Sequence, residues 1–126
     1  MVIVSNEPIN PDTVSRKIPF SKYAGSVIVH YAVVKPKINE CPTKGIRFEA
    51  TDDVEAEMEM LESNLRRDWN LFDIMLIRRL GTLEVGDVIS AVAIAAEGRA
   101  AAFGACQEAI KGFKSMSSIG KSELQE

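Results

Sequence analysis

The feature that most constrains the fold of this chain is a nearly unbroken apolar run from Val27 to Val34. Most of its side chains are β-branched, and a single histidine, His30, interrupts it. Alternating apolar and polar residues are typical of a strand with one buried face, whereas a continuous run is typical of a strand covered on both faces. We therefore predict a β-strand at the centre of a sheet.

Two later segments have the residue spacing of amphipathic helices. The first follows the capping residues Thr51-Asp52-Asp53 and ends near Trp69, with apolar side chains at steps of four, three and four residues (Val54, Met58, Leu61 and Leu65). The second runs from Arg99 to about Lys114, with apolar side chains at three- and four-residue steps (Ala102, Phe103, Cys106, Ile110 and Phe113). We expect both apolar faces to pack on the sheet, which places Phe103 and Cys106 in the core.

Shorter patterns complete the predicted order of elements. Further strands are expected at four places (Met1–Ser5, Gly45–Ala50, Ile74–Ile77 and Val88–Ala96), and a short helix over Asp12–Ile18. Two segments are expected to be irregular, a mobile loop over Pro36–Gly45 and a surface tail over Ser115–Lys121. Strands interleaved with two long helices predict a single α+β domain over residues 1–126, with the helices packed on one face of a mixed or antiparallel sheet.

Composition excludes several classes of function. Fifteen Lys and Arg residues against 18 Asp and Glu give a net charge of -3, so no overall field attracts nucleic acid or an anionic membrane. Cys41, Cys106 and the single histidine have no metal-ligand spacing, so we expect no metal. No phosphate loop or dinucleotide fingerprint occurs, and we expect no cofactor. No apolar stretch reaches the roughly 18 residues of a membrane span, and the N-terminus lacks a signal-peptide pattern, so we expect a cytoplasmic protein.

The basic residues leave two interpretations open. Arg66-Arg67 and Arg78-Arg79 fit solvated surface charge, because acidic residues surround the first pair and a turn follows the second. Lysines of one loop could instead converge with basic residues of the last helix and the tail on a cationic pocket (Lys35, Lys37, Lys44, Arg99, Lys114 and Lys121). Alternatively, Lys114 only complements the helix dipole and Lys121 only solubilises the tail. His30 fits a partly buried strand residue.

The C-terminal half carries a set of motifs in a defined order. The turn Arg79–Asp87 (Arg-Leu-Gly-Thr-Leu-Glu-Val-Gly-Asp) is followed by a strand, by Arg99 with an Ala-Phe-Gly-Ala helix, and by Lys114 and Lys121 seven residues apart. In this order and spacing the chain resembles the large catalytic subunit of molybdopterin synthase, over roughly residues 69–121. The resemblance implies the α+β fold of that family, an α/β hammerhead with two long helices on the sheet.

The sequence departs from the family pattern beside these residues. Gly98 stands where the family has histidine, Ser118 and Gly120 stand where it has proline and tryptophan, His30 replaces a phenylalanine and Lys35 replaces an arginine. A divergent active enzyme and a catalytically decayed paralogue, which acts as a non-catalytic interaction module, both stay open. A regulatory domain that binds an unrelated small molecule is a third possibility.

The resemblance also implies a reaction and its partners. The family transfers sulfur from a thiocarboxylate on the C-terminal Gly-Gly of a ubiquitin-like small subunit to cyclic pyranopterin monophosphate, and so forms the molybdopterin dithiolene in molybdenum cofactor biosynthesis. It implies a homodimer within a heterotetramer. Lys121 and Lys114 are then the expected catalytic residues, and Arg99, Lys35 and His30 the expected binding residues for the substrate or the partner's tail.

Overall fold

The computed structural model describes residues 1–18 and 22–124. Within these residues the chain forms three helices and nine strands. In chain order they are β1 (Val2–Ser5), α1 (Pro11–Lys17), β2 (Ser26–Val33), β3 (Lys37–Ile38), β4 (Cys41–Pro42), β5 (Gly45–Ala50), α2 (Val54–Asp68), β6 (Leu71–Arg79), β7 (Gly81–Glu84), β8 (Val88–Ala96), α3 (Arg99–Lys114) and β9 (Ile119–Leu124). No helix in the described part of the chain is long and apolar enough to cross a membrane.

The main sheet has the strand order β1-β6-β8-β2. Strand β1 runs parallel to β6, and the other pairs are antiparallel, so the sheet is mixed as predicted. The predicted central position of Val27–Val34 is wrong, because β2 lies at an edge and the buried strands β6 and β8 occupy the centre. The continuous apolar pattern of β2 reflects packing on both of its faces, which an edge strand can also have.

A second sheet has the strand order β7-β5-β9 and is antiparallel throughout. Its outer strand β9 begins at Ile119, so the prediction of an irregular tail over Ser115–Lys121 is wrong beyond Ser118. Pairing with β5 supplies backbone hydrogen bonds that outweigh the weak intrinsic propensity of this segment. The expected loop over Pro36–Gly45 contains a small hairpin, β3–β4, which turns through positive φ angles at Asn39 and Glu40.

Helices α2 and α3 cover one face of the main sheet, and the short helix α1 covers the other. The buried face of α3 consists of small residues and one aromatic residue (Ala102, Ala105, Cys106, Ala109 and Phe113). Cys106 is in the core as predicted, but Phe103 is 58% exposed, so its predicted core position is wrong. Residues follow one another at about 100° around a helix, which turns Phe103 away from the face that Ala102 defines.

Candidate functional site

A cleft of about 750 Å³ opens between the main sheet, the second sheet and the C-terminal end of α3. Six of its lining side chains are basic or carry an imidazole (His30, Lys35, Lys37, Arg78, Lys114 and Lys121). No Asp or Glu lies among the described residues that line it. The cleft therefore concentrates positive charge in a chain whose net charge is -3, and it suits an anionic ligand.

The floor of the cleft is a row of residues on three neighbouring strands of the main sheet. Arg78 on β6 pairs with Ser90 on β8, which pairs in turn with Ala32 on β2. Directly paired residues point to the same face of a sheet, and His30 points to that face too because it lies two residues before Ala32. The small side chains of Ser90 and Ala32 leave room above the row, beside the guanidinium of Arg78.

Arg78 is the functional candidate that the sequence analysis missed. The prediction that Arg78 is a solvated surface charge is wrong, because Arg78 is only 7% exposed. Its guanidinium lies 4.3 Å from the centre of the Phe48 ring. Burial lowers the pKa of Arg78 to about 10. A signal was available in the alternation of β6, because Ile74, Leu76 and Arg78 occupy successive positions on the same covered face.

Arg79 is also buried, but it has a structural role in the turn that begins the recognised motif. Its guanidinium donates to the carbonyl oxygen of Thr82 at 3.2 Å and lies 3.6 Å from the carboxylate of Asp87. Gly81 and Gly86 have φ angles of 104° and 93°, which only glycine adopts readily. These contacts explain why an arginine, two glycines and an aspartate stand at this spacing.

The same turn holds the loop that carries Lys35. The backbone N–H of Val34 donates to the carbonyl of Asp87, and the carbonyl of Val34 accepts from Gly86, both at 3.0 Å. Val34 is 2% exposed, so the chain leaves the core at the next residue. Lys35 and Lys37 consequently lie at the mouth of the cleft, whereas Lys44 of the same predicted cluster does not line it.

The two predicted catalytic lysines enter the cleft from different elements. Lys114 is the last residue of α3, and Lys121 lies on β9 directly opposite Phe48 of β5. Phe48 therefore contacts Arg78 of the main sheet and shares a face with Lys121 of the second sheet. Lys114, Lys121 and Arg78 all line one cleft. The seven-residue spacing of the lysines alone could not show that Arg78 joins them.

Glu57 fastens the segment that joins the two lysines. Its carboxylate accepts hydrogen bonds from the backbone N–H groups of Ser117 and Ser118, both at 3.0 Å, and from both serine hydroxyls. These bonds, chiefly the one from the Ser118 hydroxyl, hold the pKa of Glu57 below its usual value of 4.5. Ser118, which stands in place of the family proline, thus donates both its backbone N–H and its hydroxyl to Glu57.

Arg99 lies outside the cleft of its own chain. It begins α3, and Lys114 lies 15 positions further along the helix, a distance of about 22 Å along the axis. Gly98 before it caps the helix without a side-chain hydrogen bond. Among residues 1–18 and 22–124 there is also no cluster of His, Cys, Asp and Glu side chains that could hold a metal ion.

A model of the MoaE protein family matches residues 4–116, most of the chain. The chain belongs to the MoaE family. A curated relative, the molybdopterin synthase catalytic subunit of Bacillus subtilis (strain 168), is 23% identical over 124 residues. The match covers 98% of this chain and 78% of the relative. The family predicted from the turn, the helix motif and the two lysines is therefore confirmed.

Solved structures of similar proteins share this fold. Molybdopterin synthase from Staphylococcus aureus has a TM-score of 0.85 at 22% identity, with 99% of this chain and 90% of that chain covered. A chain from the complex of subunits 1 and 2 of molybdopterin-converting factor from Helicobacter pylori 26695 has a TM-score of 0.77 at 14% identity, with 99% and 85% covered. These likenesses confirm the predicted α+β fold.

Proposed function

We propose that this protein transfers sulfur from a thiocarboxylated, ubiquitin-like small subunit to cyclic pyranopterin monophosphate and so forms the molybdopterin dithiolene. The observation that carries the proposal is a cleft lined by five Lys and Arg side chains and, among the described residues, by no carboxylate. The substrate phosphate and the thiocarboxylate are both anions, so the reaction needs such a site. Membership of the MoaE family, which includes a molybdopterin synthase catalytic subunit, supports it.

Lys121 and Lys114 are the proposed catalytic residues. Both line the cleft and both are exposed, so their ammonium groups can reach a ligand without losing much hydration. In our proposal Lys121 donates a proton or stabilises negative charge at the reacting carbon, and Lys114 lies beside the thiocarboxylate. Positioned cations of this kind stabilise charge that develops during sulfur transfer, without a metal ion.

Lys35, His30 and Arg99 are the proposed binding residues. His30 lines the cleft from strand β2, and Lys35 lines it from the loop that follows β2. The Nδ1 atom of His30 is buried without a hydrogen-bond partner among the described residues. Arg99 is too far along α3 to act in the cleft of its own chain. If it holds the partner's tail or the substrate phosphate, it does so outside this cleft or in the cleft of a second copy.

The proposed partner is a small subunit with a flexible Gly-Gly C-terminus. The Helicobacter pylori relative is in a complex of subunits 1 and 2, which supports a partner of this kind. A glycine tail has little side-chain surface, so its affinity must come from backbone hydrogen bonds and from cations that face its terminal anion. We further propose a homodimer within a heterotetramer, and a cytoplasmic reaction.

An assay of dithiolene formation with the thiocarboxylated small subunit and cyclic pyranopterin monophosphate tests the proposal. Wild type should form product, and Lys121→Ala should lose about 100- to 1,000-fold in rate with an almost unchanged Tm. Lys111→Ala is the matched control, because Lys111 is an exposed lysine of α3 outside the cleft. It should keep nearly full activity.

The outcome also separates the enzyme from an interaction module. Removal of the last two glycines of the small subunit should abolish turnover and weaken binding in titration calorimetry, and rising salt should weaken the binding of the intact tail. A wild type that binds the small subunit but forms no dithiolene would favour the interaction module. A loss of less than tenfold in Lys121→Ala would remove Lys121 from the catalytic step.

A further inference from the structure

Arg78 is a buried cation with no counter-ion among the described residues. Its Nε atom is fully buried without a hydrogen-bond partner there, and its guanidinium contacts the Phe48 ring. The Nε atom of the neighbouring Arg79 also lacks a partner there, but its two terminal nitrogens have Thr82 and Asp87 as partners, whereas those of Arg78 have none among the described residues. Because a buried charge without a partner is costly, such a group is usually completed by an anion.

The surroundings of Arg78 offer a second donor and an open side. Ser90 is 3% exposed, stands directly beside Arg78 in the strand pairing, and makes no hydrogen bond through its hydroxyl to any described residue. Both side chains line the cleft. The Phe48 ring covers one face of the guanidinium, so the donors at its edge are the part left for a ligand.

We propose that Arg78 and Ser90 form a phosphate-binding subsite on the floor of the cleft. The proposal rests on the proposed function, in which the phosphate group of the pterin substrate would occupy this subsite. The planar guanidinium can donate two parallel hydrogen bonds to two oxygens of one phosphate, and the hydroxyl of Ser90 can donate a third. His30, on the same face of the sheet, lines the same cleft.

A phosphate fits this position better than the reacting thiocarboxylate does. Arg78 stays charged at pH 7, since burial lowers its pKa only to about 10, which is well above that pH. It is therefore an anchor and not a proton donor. The exposed lysines, Lys114 and Lys121, are suited to the reacting end, whereas a buried arginine is suited to a group that must only be held.

Thermal unfolding of the full chain in inorganic phosphate tests the subsite. At constant ionic strength, about 1–100 mM phosphate should raise the Tm of wild type by mass action, relative to chloride. Arg78→Met should weaken the apparent phosphate affinity at least about tenfold, because it removes a charged, bidentate donor. Arg78→Lys keeps the charge but not the planar donor pair, so its apparent phosphate affinity should lie between those of wild type and Arg78→Met. If Arg78→Met does not fold, the comparison of Arg78→Lys with wild type is the test.

Arg16→Met is the matched control. It removes the same charge from the exposed last turn of α1, outside the cleft, and should leave the response to phosphate unchanged. Equal phosphate responses in wild type and both Arg78 variants would overturn the subsite, and so would an absence of response in wild type. The Tm could instead rise with the dipeptide Gly-Gly and not with phosphate, in a way that depends on Arg78. That result would assign Arg78 to the partner's tail and would also overturn the proposal.

The result is independent of the proposed reaction. Phosphate binding that depends on Arg78, in a protein that forms no dithiolene, would refute the proposed function and leave the anion subsite in place. Dithiolene formation with an unaltered substrate KM in Arg78→Lys and Arg78→Met would keep the function and remove the subsite. A raised KM with a nearly unchanged kcat is the result that fits both proposals.

Discussion

The carboxylate of Glu57 should hold the segment between the two cleft lysines, and Glu57→Gln tests this directly. The glutamine has nearly the same size, but its amide nitrogen cannot accept the two hydrogen bonds, one from a backbone N–H and one from a hydroxyl, that each carboxylate oxygen now accepts. Hydrogen bonds to a charged group contribute about 1.5–3 kcal/mol when they are buried, and Glu57 is only partly buried, so water replaces part of the loss. We expect a destabilisation of about 1–2 kcal/mol at pH 7, or a fall in Tm of about 4–8 °C.

The effect should depend on pH in a defined direction. Hydrogen bonds from Ser118 and Ser117 hold the pKa of Glu57 in the folded chain below its usual value of 4.5. A carboxyl whose pKa is lowered by folding stabilises the protein above the pKa of the unfolded chain. That contribution is lost as the pH falls below about 4.5 and through the lower pKa of the folded state. The difference between wild type and Glu57→Gln should therefore be largest near pH 7 and should shrink in acid.

Urea unfolding at pH 7 and at about pH 3.5 measures this difference. Glu59→Gln is the matched control, because Glu59 lies on the same helix, is exposed, and makes no side-chain hydrogen bond to the described residues. It should cost less than about 0.5 kcal/mol at either pH. If Glu57→Gln is no worse than Glu59→Gln, or if its cost is the same at both pH values, the carboxylate does not hold Ser117 and Ser118 as described.

Two further pairs of substitutions test the packing around the site by thermal unfolding. Met58→Ala should cost about 2–5 kcal/mol because Met58 is 0% exposed, whereas Phe103→Ala should cost under about 1 kcal/mol because Phe103 is on the surface. A cost at Phe103 as large as that expected at Met58 would show that α3 is rotated. Gly45→Ala should cost about 1–3 kcal/mol because its Cβ would lie 2.1 Å from the backbone oxygen of Leu83. Gly98→Ala should cost under about 1 kcal/mol, since apart from its chain neighbours no atom lies within 4 Å of the position of the added Cβ. A similar cost at both glycines would contradict the close approach of Leu83 to Gly45.

The parts of the fold that follow from local periodicity could be predicted from the sequence. The bounds of α3 are confirmed because a helix of four turns repeats its pattern often enough to be read. The edge position of β2 could not be predicted, since a run of apolar residues shows that the faces of a strand are covered but not what lies beside it. Strand β9 was missed for a related reason, because its pairing with β5 is a contact between distant parts of the chain.

The candidate site divides in the same way. The lysines could be identified from motif spacing, and Lys35, Lys114 and Lys121 do line one cleft. Arg78 could not be assigned to that cleft without knowing that β6 and β8 pair and that Phe48 faces them from the second sheet. Arg99 was wrongly placed with the lysines, because Arg99 and Lys114 belong to one motif in the sequence but lie about 22 Å apart along the helix.

The departures from the family pattern bear on whether the site is active or decayed. Ser118, which replaces the family proline, has both its backbone N–H and its hydroxyl bound by Glu57. Gly120 replaces the tryptophan, and a Cβ at this position would lie only 3.3 Å from the methyl group of Thr51, so the packing suits glycine. The contacts of Ser118 keep the connection between the two lysines in place, and glycine at position 120 leaves room for Thr51.

The charges of the cleft support an active site by a separate argument. Acidic residues outnumber basic ones in the chain, 18 to 15, so a surface that had lost its function would be expected to include carboxylates. The cleft instead brings together five Lys and Arg residues from β6, α3, β9, β3 and the loop between β2 and β3, with no Asp or Glu among its described lining residues. Like charges repel one another, so gathering them from five places costs stability. An anionic ligand that binds there would offset this cost, which is why we favour the enzyme over the interaction module.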